Sequence, residues 1–75
     1  MRRIGEVVRV AAGTIVARSP DDAHPAIGAE VVDERLDRVG RIVDVMGPVE
    51  RPYLVITPAG GADPVALLAE PVYAR

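Results

Sequence analysis

No disulfide and no thiolate metal site can form in this 75-residue sequence, because it contains no cysteine. Tryptophan and phenylalanine are also absent, so Val, Ile, Leu and Ala must fill the interior, with Tyr53 and Tyr73 as the only large rings. Lysine is missing too. All nine basic residues are arginine, a side chain suited to planar, bidentate pairing. No apolar run approaches the roughly 20 residues that a membrane-spanning helix needs. The opening Met1-Arg2-Arg3 is basic, but Glu6 and Arg9 interrupt the apolar residues behind it, which leaves no signal-peptide core. The expectation is a soluble, cytoplasmic protein.

Charge narrows the functional classes further. The formal net charge is −2, whereas binding to nucleic acid by counterion release needs a basic face. A protein that coats RNA through phosphate contacts is therefore not expected. Length implies one domain spanning residues 1–75. Scaling gives such a chain a folded surface of about 4,400 Å² and buries only roughly 60% of the unfolded surface. The domain can fold alone on a thin margin.

Along the chain, short β-branched runs alternate with turn residues. Ile4–Ala11 reads as a strand with Glu6 and Arg9 on opposite faces, and Thr14–Arg18 as a second strand. The two-residue Ala12-Gly13 link between them predicts a tight hairpin. Ser19–Pro25 is a loop whose Asp side chains can bond the local backbone, and Glu30–Asp33 is a third strand. The next segment is ambiguous. Leu36, Val39, Val43 and Met46 fall at helical spacing, with Asp33 and Gly47 as caps. Against a helix stand Gly40 within the stripe and the β-branched Val39, Ile42, Val43 and Val45. The β-branched residues decide for a strand from Val39 to Met46 after a turn at Asp37-Arg38, with Gly40 as a point of bending or close backbone approach. Tyr53–Thr57 is a clear strand, Pro58–Pro64 a loop, Val65–Ala69 a helical turn or edge strand, and Pro71–Tyr73 a closing strand. The prolines fall almost entirely between strands, as an all-β chain requires. Six short strands predict a small closed or nearly closed barrel.

No set of residues forms a catalytic centre. His24 lies beside Asp21 and Asp22 in a single loop, which does not supply the converging ligands of a metal site. Asp33, Glu34, Asp37 and Asp44 are carboxylates, but a general acid–base pair needs a cleft that a filled barrel lacks. They are expected to pair with Arg35, Arg38 and Arg41, arginines that scatter if the segment is strand and turn. Gly60-Gly61 has no strand-to-helix context or lysine to make a phosphate cradle. The reading is of a non-enzyme with no metal and no cofactor.

The informative cluster is Met46-Gly47-Pro48-Val49 followed by Pro52-Tyr53. It places stiff apolar groups at one corner, where they lose little entropy on docking, and Tyr is enriched among interface anchors. Met46, Gly47, Pro48, Val49, Pro52 and Tyr53 are the candidate protein-binding residues.

These same residues carry a resemblance. Val39-Gly40-Arg41-Ile42-Val43-Asp44, then Gly47-Pro48-Val49, then Pro52-Tyr53, together with Arg3-Ile4-Gly5-Glu6-Val7 and Leu67…Val72-Tyr73, resemble the Gar-type core protein of archaeal H/ACA ribonucleoproteins. The likeness spans nearly the whole chain. Met46 stands where that family commonly has an aromatic, and Ala69 where it usually has glycine. The resemblance implies a six-stranded barrel like domain 2 of elongation factors, or a reductase-like split barrel. It implies an accessory role: docking on the pseudouridine synthase catalytic subunit (dyskerin family) and biasing its thumb loop during RNA loading and release. Guide RNA would be contacted only indirectly. Ile27-Gly28…Val31-Val32-Asp33…Val39–Val45 also resembles the PRC-barrel family, whose members act in assemblies such as maturing ribosomes. That family does not require Gly47-Pro48 or Pro52-Tyr53.

Overall fold

The computed structural model describes residues 2–75. Six strands account for its regular structure among these residues: β1 (Arg2–Ala11), β2 (Thr14–Arg18), β3 (Glu30–Val32), β4 (Arg38–Met46), β5 (Tyr53–Pro58) and β6 (Pro71–Ala74). A short 3-10 turn, Val65–Leu67, precedes β6. All neighbouring strands are antiparallel, and the order β1-β2-β5-β4-β3-β6 closes on itself. The expected all-β barrel is therefore present, and closure leaves no sheet edge to cap.

Each strand contributes to one aliphatic core. Ile4 and Val7 come from β1, Ile15 and Ala17 from β2, Val31 from β3, Val39 and Ile42 from β4, Leu54 and Ile56 from β5, and Val72 from β6. The exposed surface totals 4375 Å², close to the ~4,400 Å² expected for a compact chain of this size. With no Trp or Phe available, β-branched side chains fill the narrow lumen of a six-stranded barrel.

The Ala12-Gly13 turn forms as expected. Both residues have positive φ (51° and 73°), the geometry that matches the right-handed twist of the flanking strands. In the loop after β2, the Asp21 carboxylate accepts the Ala23 N–H at 2.8 Å.

Bulges account for most departures from the sequence reading. β1 shifts register between Val7 and Arg9, so Val8 is an extra residue. Glu6 and Arg9, expected on opposite faces, are consequently both exposed, because one inserted residue reverses the alternation. A second bulge at Val43 separates the Ile42–Ile56 and Asp44–Val55 pairs of β4 and β5. The register of β4 against β3 also shifts, between Arg38 and Gly40. The inward residues of β4 thus recur every third position: Val39, Ile42 and Val45. Of the helix-like stripe Leu36, Val39, Val43 and Met46, only Val39 is buried.

The turn expected at Asp37-Arg38 lies earlier. Asp33 closes it: its carboxylate Oδ1 accepts the N–H groups of Arg35 (2.9 Å) and Asp37 (3.0 Å), and its carbonyl accepts that of Leu36 (3.0 Å). Arg38 is already in β4. A side chain that satisfies two backbone donors competes effectively for the turn. Near the end of the chain, Ala69 adopts a φ of 66°, in the left-handed region that favours glycine.

Candidate protein-binding site

The six candidate residues lie where β4 passes into β5, and the structure assembles them into one corner. Met46 pairs with Tyr53 as the last rung of the ladder. Pro48 to Arg51 make the turn, with the Arg51 N–H donating to the Pro48 carbonyl at 3.2 Å. Gly47 is required twice over. Its φ is 87°, and a Cβ there would lie 2.9 Å from Cδ2 of Tyr53. The Tyr53 ring is laid against bare backbone, so Gly47-Pro48 and Pro52-Tyr53 are two halves of one packed unit.

A polar clamp fixes the corner to the end of β2. Arg18 stands opposite Tyr53 across the β2–β5 ladder. Its guanidinium carbon lies 4.5 Å from the centre of the Tyr53 ring, and its Nη1 donates to the Tyr53 hydroxyl at 2.8 Å. Arg18 Nε donates to the Arg51 carbonyl (3.2 Å), while Arg51 Nε donates to the Ser19 carbonyl (3.2 Å). Arg18 thus holds the backbone of Arg51, and Arg51 holds that of Ser19, the residue after Arg18. Between them Ser19 is fully buried: its N–H donates to the Pro52 carbonyl at 2.9 Å and its hydroxyl to the Asp21 carbonyl at 2.8 Å. Among the described residues no buried side-chain nitrogen or oxygen lacks a partner.

The six residues divide by exposure. Val49 is 83% exposed and Met46 51%; Gly47 and Pro48 are also exposed, Tyr53 is half-buried, and Pro52 is buried. Pro52 is thus a structural member of the corner, whereas Met46, Pro48, Val49 and the outer part of Tyr53 form its apolar surface. Sequence reasoning did not bring in Arg18, Arg51 and Ser19. Arg18 and Ser19 lie more than thirty positions from the corner residues they touch, and no local signal in the chain pairs them.

The other candidate chemistries are dispersed. His24 is exposed, and its Nδ1 donates to the neighbouring Pro25 carbonyl at 2.9 Å. Among the described residues no group of three or more His, Asp or Glu is arranged to hold a metal ion. Arg35 reaches Asp33 (4.0 Å) and Asp37 (3.7 Å), while Arg38 reaches Glu30 (3.8 Å) and Arg41 Nη1 donates to the Gly28 carbonyl (3.4 Å). Arg38 and Arg41 are both on the outside of the barrel and both turn toward β3 or the residues leading into it, rather than scattering. A groove of about 710 Å³ at the end opposite the corner is lined by Asp33, Arg35, Asp37 and Arg38 and by Gly60-Gly61 and Asp63. No helix among the described residues is long and apolar enough to cross a membrane.

Comparison with known proteins finds an archaeal relative. A protein of Methanothermobacter thermautotrophicus, described as uncharacterized, is 34% identical over 65 residues, covering 85% of this chain and 68% of the relative. The chain belongs to the family of that archaeal protein. No family profile matches the chain.

Proposed function

We propose that this barrel is a non-catalytic accessory subunit of an H/ACA ribonucleoprotein. It binds the pseudouridine synthase catalytic subunit through the Met46–Tyr53 corner. There it biases the thumb loop that grips substrate RNA, assisting loading and release during rRNA modification in the cytoplasm. The observation that supports this reading is the preorganised corner. Exposed apolar groups are carried on a backbone restricted by Pro48, with the Tyr53 ring packed on Gly47 and the Arg18–Arg51 clamp behind it, so docking orders little that is not already ordered. The resemblance of Gly47-Pro48-Val49 and Pro52-Tyr53 to the Gar-type protein supplies the partner's identity, and an archaeal relative accords with it.

Two measurements test the proposal. Val49 is 83% exposed, so Val49→Asp should leave the free domain's stability within about 0.5 kcal/mol. Buried against the synthase, the carboxylate should weaken binding by about 2 kcal/mol or more. Calorimetric titration of the synthase with the two proteins reads this directly, and equal affinities would remove the corner from the interface. In the second measurement, the isolated chain should hold guide RNA weakly. A Kd below about 1 µM at roughly 150 mM salt would replace the protein-only docking mode with direct RNA binding.

A further inference from the structure

The outer faces of β4, β5, β2 and β1 carry an apolar row that the corner does not use. Strand pairing sets Asp44 beside Val55, Val55 beside Val16, and Val16 beside Arg9. The two bulges fall at this same level, one in β4 and one in β1, and each adds an exposed valine: Val43 at 49% and Val8 at 47%. The result is a row of four valines bounded by an acid at one end and a base at the other. Asp44 and Arg9 are both exposed, and neither makes an ion pair among the described residues. The nearest hydrogen bond of Asp44 is local, with its Oδ1 accepting the Val45 N–H at 2.8 Å.

We infer that this face is self-complementary and docks a second copy of the chain. The charges choose both the occupant and its orientation. A two-fold axis parallel to the strands sets Asp44 of one copy against Arg9 of the other, twice, and closes the valines over one another. The adjoining row reads Met46, Tyr53, Arg18, Glu6, and the same axis sets Tyr53 against Arg18 of the second copy in both directions, so the second copy reaches the corner and excludes a partner bound there. An axis across the strands would instead oppose Asp44 to Asp44 and Arg9 to Arg9. Only the first closes a symmetric pair without like-charge contact. A stable interface covers about 800 Å² per partner, near a fifth of the 4375 Å² surface. The convex wall of a barrel meets its copy over less than this, which sets the association in the weak micromolar-to-millimolar range.

Sedimentation equilibrium of the full chain, carried up to about 1 mM, tests the inference without any other protein. The expected result is a monomer–dimer equilibrium that weakens as salt is raised. Asp44→Arg alone, or Arg9→Asp alone, brings like charges together at both symmetric contacts and should weaken the dimer roughly tenfold or more. The double exchange Arg9→Asp with Asp44→Arg restores opposite charges and should return the affinity to within about threefold of wild type. Val43→Glu, at a bulge position outside the strand pairing, should abolish dimerisation and serves if a charge variant misfolds by circular dichroism. A chain that stays monomeric throughout, a dimer indifferent to single reversals, or a double exchange that does not rescue would each overturn the inference.

Discussion

Gly40→Ala is expected to remove at least about 3 kcal/mol of folding stability, a large share of what a 75-residue domain possesses. A Cβ at this position would collide with the carbonyl oxygen of Thr57 and lie 2.9 Å from its carbonyl carbon, with Cγ2 of Ile56 at 3.0 Å. The obstacle is backbone, which no change of rotamer can move aside. Relief requires β4 and β5 to part where the Ala59 N–H donates to the Val39 carbonyl at 2.8 Å. That movement would open the core between Val39 and Ile56, both buried. Gly60→Ala is the matched control: a Cβ there meets nothing within 4 Å, and stability should change by no more than about 0.5 kcal/mol. Urea denaturation followed by circular dichroism compares the two. A Gly40→Ala midpoint equal to that of the control would show that the two strands do not approach this closely.

Tyr53→Ala should weaken binding to the synthase by about 2 kcal/mol, roughly thirtyfold, if the ring is an anchor of the proposed interface. The substitution acts at two places. It removes the apolar ring paired with Met46, and it frees the Arg18 guanidinium from both the ring and the hydroxyl. Tyr53→Phe separates these effects. The ring would still lie against Gly47 and under Arg18, while only the 2.8 Å hydrogen bond to the hydroxyl is lost. Its effect should stay below about 1 kcal/mol. Large loss for Ala with small loss for Phe identifies the ring as the contact. Equal losses would assign the effect to the Arg18 hydrogen bond, and a folded Tyr53→Ala variant with unchanged affinity would take Tyr53 out of the interface.

Much of the barrel was legible from residue types. β-branched runs separated by Gly, Pro and Asp marked all six strands to within about two residues at each end, and Gly40 was marked as a point of bending or close backbone approach, of which the structure shows the close approach. The β4 segment shows where periodicity misleads. Leu36, Val39, Val43 and Met46 have helical spacing, but only Val39 faces inward; the bulge at Val43 and the irregular β3 pairing instead give β4 a three-residue inward period through Val39, Ile42 and Val45. Propensity decided correctly against the helix, since Val and Ile suit a pleated strand whatever the local phase. Phase itself depends on which residue of a partner strand stands opposite, and that partner is distant in sequence.

For the candidate site the division is similar. The sequence by itself determined that Met46–Tyr53 is a stiff, apolar corner, because Pro48 and Pro52 fix φ wherever they occur and Gly47 permits the turn between them and Met46. Only the tertiary structure decided what that corner exposes: Pro52 is turned inward, Arg18 holds Tyr53 in place, and Arg51 ties the turn to Ser19. It also decided that Val8 and Val43 share one level of the outer wall with Val16 and Val55. The reason is the same in each case. Turn chemistry is a property of neighbouring residues, whereas strand register and cross-strand contacts are set when the barrel closes and distant segments are brought into pairing.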